Sequence, residues 1–131
     1  MGAVSIALMQ GQTEKSVWDC VYSPLQATRG ATAYALQCAS CHSDDLEGAG
    51  QNPGLAGAGF RKEWDGQAVA DLFDRIRSSM PADKPGSLTP AENADIVAFI
   101  LKTNGYPAGS AELKSDAASL KAIRLVAVKP K

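Results

Sequence analysis

Cys38-Ala39-Ser40-Cys41-His42 decides how the rest of the chain is read. Two thiols lie three residues apart and an imidazole follows the second. This is the spacing for covalent haem attachment. Each thiol can add across one haem vinyl group to form a thioether, and the histidine beside the second thioether is then held under the iron as its proximal ligand. Cys38 and Cys41 are candidate attachment points for one haem c, and His42 is a candidate metal ligand. The tether removes most of the entropic cost of bringing His42 to the iron. Three other readings compete. A dithiol redox pair normally opens a helix after a strand, but the residues before Cys38 read as helix and no βαβ pattern surrounds them. Zinc wants four ligands, and beyond this motif the chain offers only Cys20, at an odd spacing. Chance is the third.

Upstream, Ser23-Pro24-Leu25-Gln26 reads as a helix start, with Ser23 as N-cap, Pro24 at N1 and Gln26 at the capping-box position. The helix is expected to run to about Ala39. Gly30 and Tyr34, four apart, share a face. Gly30 costs about 1 kcal/mol of helix stability against Ala, which makes sense where another helix crosses very close. Residues 10 to 22 read as an extended arm able to pack through Val17, Trp18, Val21 and Tyr22. Cys20 has no partner left within the chain. It is either a harmless free thiol or the site of an intermolecular disulfide linking two copies. The apolar start, Ala3 to Met9, lacks a basic n-region and reads as the trailing end of a signal peptide or as a frayed terminus.

Downstream, residues 43 to 63 read as loop. Within it Pro53-Gly54-Leu55-Ala56-Gly57 is either a plain turn or the source of the carbonyl, Pro53 O, that receives the free N–H of a proximal histidine. A second helix is expected to open at Trp64-Asp65-Gly66-Gln67 with Asp65 as N-cap. Its apolar stripe is Val69, Leu72, Phe73 and Ile76, and it ends at Met80 because the following Pro81 biases that residue out of the helical region. Thr89-Pro90-Ala91-Glu92 is a full capping box for a third helix, which runs to about Asn104 with Gly105 as C′. Its stripe is Ile96, Val97, Phe99, Ile100 and Leu101. A short helix is expected at 116 to 122, then an extended tail whose Lys121, Arg124, Lys129 and Lys131 read as a solvated end.

The chain has one histidine, so bis-histidine ligation within it is excluded. Of the methionines, Met1 and Met9 lie in the apolar start. Met80, locked by Pro81, is the candidate sixth ligand; the competing reading is core packing with an open sixth site. A thioether favours ferrous iron and raises the reduction potential. At 131 residues and 45% hydrophobic content the chain is one domain with tails. The divisions expected are an arm (1–22), a core domain (23–106) and a C-terminal extension (107–131). A formal net charge of −1 argues against nucleic-acid binding, and no stretch approaches the length of a membrane span.

Together these residues resemble a class I c-type cytochrome over about residues 23 to 106. The family's helix with a glycine and an aromatic ahead of the haem motif corresponds to Gly30 and Tyr34. Its last helix crosses that glycine with an aliphatic and an aromatic, here Ile96 and Phe99. Its Pro-x-Leu-x-Gly run matches Pro53, Leu55 and Gly57, and its methionine ligand matches Met80. A closer likeness is to small cytochromes associated with bacterial quinoprotein dehydrogenases, carried by Ser79-Met80-Pro81-Ala82-Asp83, Leu88-Thr89, Asn104 to Gly109 and the Val17-Trp18-Asp19 arm. That group commonly has glycine where this chain has Cys20.

The resemblance implies an all-α fold of three main helices and long loops around one covalent haem c, with Tyr34, Pro53, Leu55, Trp64 and Phe99 contributing to its pocket. It implies a non-enzymatic carrier of single electrons, and the covalent haem attachment read from the motif itself implies export and a periplasmic location. The expected donor is a quinoprotein dehydrogenase and the acceptor a cytochrome or terminal oxidase, with encounter steered by Arg61, Lys62 and Lys84. The rival function is an open-site haem protein, a gas sensor or weak peroxidase.

Overall fold

The computed structural model describes residues 14–131. The apolar start, with Met1 and Met9, lies outside the described residues. The protein is mainly helical, with one pair of very short strands. In chain order the elements are β1 (Lys15–Ser16), α1 (Pro24–Gln37), α2 (Ala39–His42), α3 (Ala58–Trp64), α4 (Val69–Ser79), α5 (Pro90–Thr103), α6 (Ala117–Lys121) and β2 (Ile123–Arg124).

α1 starts where its caps dictate. Ser23 Oγ accepts from Gln26 N at 3.1 Å and Pro24 occupies N1. The Gln26 side chain does not turn back to complete a capping box. It is buried, and it satisfies both ends of its carboxamide on one distant residue, donating to Leu113 O at 2.9 Å and accepting from Leu113 N at 2.7 Å. α5 has the reciprocal box: Glu92 N donates to Thr89 Oγ1 and Thr89 N to Glu92 Oε1. It closes at Asn104, followed by Gly105 at φ +87°.

α1 packs on α5 at Gly30. A Cβ added there would lie 1.8 Å from Asp95 O and 2.9 Å from Phe99 Cβ, so only glycine permits the crossing. The backbone of Asp95, not the Ile96 side chain, sits over the glycine; Ile96 is turned to the wall of a cavity. Tyr34 and Phe99 pack beside the crossing with ring centroids 5.3 Å apart.

Two expectations for the middle of the chain are corrected. Residues 58 to 64 form a helix, α3, where loop was expected. Its signal was the i, i+4 pair Phe60 and Trp64, both buried. Asp65 caps the end of α3 instead of opening α4, and α4 starts four residues later at Val69. The cause is the C-terminal extension. Gly66 N donates to Leu125 O and Leu125 N to Gln67 O, both at 2.8 Å, while Ala127 N donates to Asp65 Oδ1 at 2.8 Å. The extension thus takes Asp65 Oδ1, the oxygen an N-cap would use, and the Gln67 carbonyl that a helix starting there would use. α4 is capped on one side only, by Ala68 N donating to Asp71 Oδ2 at 3.1 Å, since alanine has no oxygen to return.

The arm and the extension close on each other. β1 pairs in parallel with β2. Val17 and Tyr22 are buried, and Tyr22 Oη donates to Tyr106 O at 2.6 Å. Trp18 Nε1 donates to Val126 O at 2.9 Å. Arg124 is not a solvated tail charge: it donates to Gly66 O at 3.0 Å and pairs with Glu14 Oε2 at 3.0 Å. The short helix expected near 116 to 122 is α6, with Asp116 as N-cap.

Gly30→Ala drives a methyl into backbone that cannot swing aside. The variant is expected to lose at least about 2 kcal/mol of stability, read as a lower denaturant midpoint. An unchanged midpoint would mean the helices can part freely.

Candidate functional site

The motif is bent away from α1. Cys38 leaves helical geometry at φ −126°, ψ −34°, while its N–H still reaches Tyr34 O. One further turn, α2, follows, with His42 N donating to Cys38 O at 3.0 Å. Tyr34 Oη donates to Ser43 O at 2.7 Å and fixes the exit of that turn. Burial, assisted by the neighbouring Cys38, Asp45 and Asp44, pushes the Tyr34 hydroxyl up to about 12.

His42 is buried, and its Nδ1 lies 2.8 Å from Pro53 O. A carbonyl oxygen only accepts, so Nδ1 carries the proton. In the neutral ring Nε2 is then left with the lone pair. The bond also orients the ring and raises the basicity of Nε2. The Pro53 segment is itself held: Leu55 N donates to Leu46 O at 2.7 Å, and a Cβ added to Gly54 would lie 3.0 Å from Glu47 O.

His42 and Met80 line the same cavity, of about 430 Å³, within the usual range of ligand pockets. Cys38 and Cys41 line it too, and Leu55, Trp64, Leu72, Ile76, Ile96 and Ile100 make most of it apolar. Met80 is half-buried and extended, at φ −123°, ψ 151°, as the residue before a proline should be. The charged groups on the wall are Glu63, Arg75 and Asp83, and Arg75 sits over Trp64 at 5.4 Å from the ring centroid. Arg61, Lys62 and Lys84 are not among the lining residues, and neither are Tyr34 and Phe99, which belong to the helix crossing. Sequence reasoning missed Leu72, Ile76, Ile96 and Ile100 as cavity residues because it assigned them to a common core stripe, and it missed Arg75.

The competing readings of the motif weaken here. Burial pushes the Cys38 thiol up to about 11, whereas a dithiol redox centre works through a depressed one. Among the described residues, no three His, Cys, Asp or Glu side chains cluster to hold a metal ion. Cys20, Cys38, Cys41 and His42 are all described, so a Cys3His zinc site is not assembled. Cys20 is exposed and unbonded.

Residues 25–100 match the family model described as cytochrome c oxidase, cbb3-type, subunit III. The chain belongs to this family. It is a class I c-type cytochrome with the all-α cytochrome c fold. It is similar to the crystal structure of the sulfane dehydrogenase SoxCD from Paracoccus pantotrophus, at 27% identity and a TM-score of 0.49 over 67% of this chain. It spans about half, 52%, of the length of that SoxCD chain. No curated protein matches it.

The family implies haem c, and the residues present fit that group. Its apolar body suits the apolar walls, and its carboxylates suit Arg75, the basic side chain on the wall. The donor set is a histidine with Nε2 free, a thioether and a pair of thiols on one cavity.

The raised Tyr34 hydroxyl carries a pH dependence. Its value lies above the ordinary 10.0, so the stability of the neutral, buried hydroxyl is fully present below pH 10 and is lost as pH rises toward about 12. Denaturant midpoints are expected to fall across that window. Tyr34→Phe should make the fall shallower, and at neutral pH should lose about 1 kcal/mol with the Ser43 bond. Equal steepness in both proteins would remove Tyr34 as the titrating group.

Proposed function

We propose that this cytochrome is a monohaem carrier of single electrons, in which haem c would be joined through thioethers at Cys38 and Cys41 and ligated by His42 and Met80. One observation carries the reading. The Nδ1 of His42 is committed to Pro53 O at 2.8 Å, leaving Nε2 as the donor on a cavity that Met80 also lines.

When bound, the haem supplies a one-electron ferric/ferrous couple, and a thioether ligand shifts that couple toward the reduced side. The chain does the rest. His42 gives a nitrogen of fixed orientation and enhanced basicity. Met80 gives a neutral sulfur and closes the site to small molecules. Leu55, Leu72, Ile76, Ile96 and Ile100 keep water out of the cavity, which disfavours the net charge of the oxidised state. Arg75 offsets the haem carboxylates.

Covalent attachment implies export of the chain and maturation in the periplasm. Among the described residues no helix is long and apolar enough to cross a membrane. A quinoprotein dehydrogenase as donor, with a cytochrome or terminal oxidase as acceptor, is the partnership that the sequence likeness favours. Cys20, exposed at the surface, is available for a disulfide between two copies; a monomer band on gels with and without reductant would dispose of that dimer.

Protein matured in the periplasm should show one haem by pyridine haemochrome and by mass. Its ferric form should be low-spin, with the weak far-red band of sulfur ligation, and its ferrous form should not bind carbon monoxide at neutral pH. Met80→Ala should abolish the far-red band, lower the potential and open the iron to carbon monoxide. If the unaltered protein already binds carbon monoxide rapidly, the sixth position is open and the gas-sensor or peroxidase reading replaces this one.

A further inference from the structure

Asn104 is buried, lies outside the cavity lining and has every side-chain polar atom engaged. It is the C-cap residue of α5, and its carboxamide reaches both back to the last turn of its own helix and across to the chain beyond Pro53. Nδ2 donates to Leu55 O at 2.9 Å and to Ile100 O at 2.9 Å. Oδ1 accepts from Gly57 N at 3.0 Å. The side chain therefore pairs with a stretch of loop as a neighbouring strand would, one donor and one acceptor matched to one carbonyl and one N–H. The third bond ties that carboxamide to its own helix.

This loop stretch follows directly on Pro53, whose carbonyl receives His42 Nδ1. On its other side it has the bond from Leu55 N to Leu46 O at 2.7 Å. The 53–57 run has no helix or sheet of its own to hold it. Its place is set by Leu46 on one side and by Asn104 on the other. α5 is the most apolar and most deeply buried of the helices, and Gly30 fixes its place against α1. Asn104 thus carries the position of a rigid helix across to the carbonyl that orients His42.

We propose that Asn104 is a positioning residue for the proximal histidine: through Leu55 and Gly57 it holds the Pro53 carbonyl at hydrogen-bonding distance from His42 Nδ1, and so helps to set the electron-donating strength of the ring. This rests on His42 being the axial ligand. Loosening the Pro53 carbonyl weakens its bond to Nδ1–H, makes Nε2 a poorer donor and destabilises the oxidised form. The potential then rises.

The test uses the haem-loaded protein. Asn104→Leu removes all three bonds at similar volume. Asn104→Asp keeps the acceptor for Gly57 N but turns an oxygen toward two carbonyls. Asn104→Gln keeps the chemistry and restores part of the behaviour; Gln26→Ala is the control, since it removes a buried carboxamide clamp that holds Leu113 and not the 53–57 run. Asn104→Leu and Asn104→Asp should raise the reduction potential. They should also speed exchange of the His42 Nδ1 proton, followed by NMR in the reduced state, by on the order of tenfold. Gln26→Ala should lower the denaturant midpoint and change neither.

If all the variants lose stability while potential and Nδ1 exchange stay at wild-type values, Asn104 is merely structural and the proposal fails. Should Asn104→Leu not fold, the Asn104→Asp and Asn104→Gln pair decides it by the same readouts. A failure of the ligation reading looks different: the unaltered protein would show no low-spin histidine-ligated iron, or His42→Ala would leave its spectrum unchanged.

Discussion

Backbone lies against backbone where α1 meets α5, and most of the structure follows from that contact. A helix pair separated by even one methyl group at Gly30 would leave no room for Asp95 O where it sits. Close approach places Tyr34 against Phe99. It also fixes two things along different directions. The C-terminal end of α1 delivers Cys38 and the turn that carries Cys41 and His42. The inward face of α5 delivers Ile96 and Ile100 to the cavity wall, and its end delivers Asn104 to the loop. The histidine and the wall it faces are therefore referenced to one rigid pair of helices. The glycine costs about 1 kcal/mol in helix propensity against alanine, and the burial of the α5 stripe along the contact outweighs this by a wide margin.

The rest of the molecule is held with few regular elements. Long loops normally leave backbone groups in need of partners. Here two buried carboxamides act as substitutes for strands: Gln26 pairs with both backbone groups of Leu113, and Asn104 pairs with Leu55 O and Gly57 N. Each is anchored on one of the crossing helices, so each transfers helix rigidity to a segment that has none. A third buried carboxamide, Asn93, does half of this: Nδ2 donates to Phe73 O at 3.0 Å, while Oδ1 has no partner among the described residues. A buried amide oxygen of this kind is where an ordered water belongs.

What could be read from the sequence was whatever is local. The caps at Ser23, Thr89 and Gly105 and the stop at Met80-Pro81 all depend on neighbours a few residues away, and each appears in the fold where local rules put it. The close crossing at Gly30 was also legible, because an otherwise unfavourable glycine within a helix calls for a reason. Failures came where distant chain overrode local preference. Asp65 followed by Gly66 and Gln67 looks like a helix start, but Leu125 takes the backbone N–H of Gly66 and carbonyl of Gln67, and Ala127 N takes the Asp65 carboxylate that would have capped it. Gln26 looks like a capping residue, but Leu113 offers it two bonds in a buried setting. α3 was hidden by Gly57 and Gly59, although Phe60 and Trp64 mark its inner face. At the cavity, His42 with Pro53 O could be anticipated from the chemistry of a ligating imidazole. Arg75 and Asn104 could not: their roles depend on which helix faces the cavity and on where α5 ends relative to a loop some fifty residues earlier.

The two sides of the cavity are supported in different ways, and this asymmetry suits an electron carrier. His42 is backed by helix α1, by the Pro53 carbonyl and through it by Asn104, all internal to the central domain. Met80 follows α4, whose beginning is set by residues 65 to 68. Those residues are pinned by β2 and the strand-paired arm, with Arg124 bridging Gly66 O and Glu14. The extension thus bonds to the segment just before α4, and the arm is joined to it through β1 and Glu14. Under the proposed ligation the weaker donor would be the thioether, whose position would gain more from outside support. Transferring one electron with little rearrangement would then require His42 and Met80 to stay in place in both oxidation states. On the cavity side of His42 the support comes from α1 and the Pro53 loop, whereas the arm and the extension bond to the segment that precedes α4, the helix that ends at Met80.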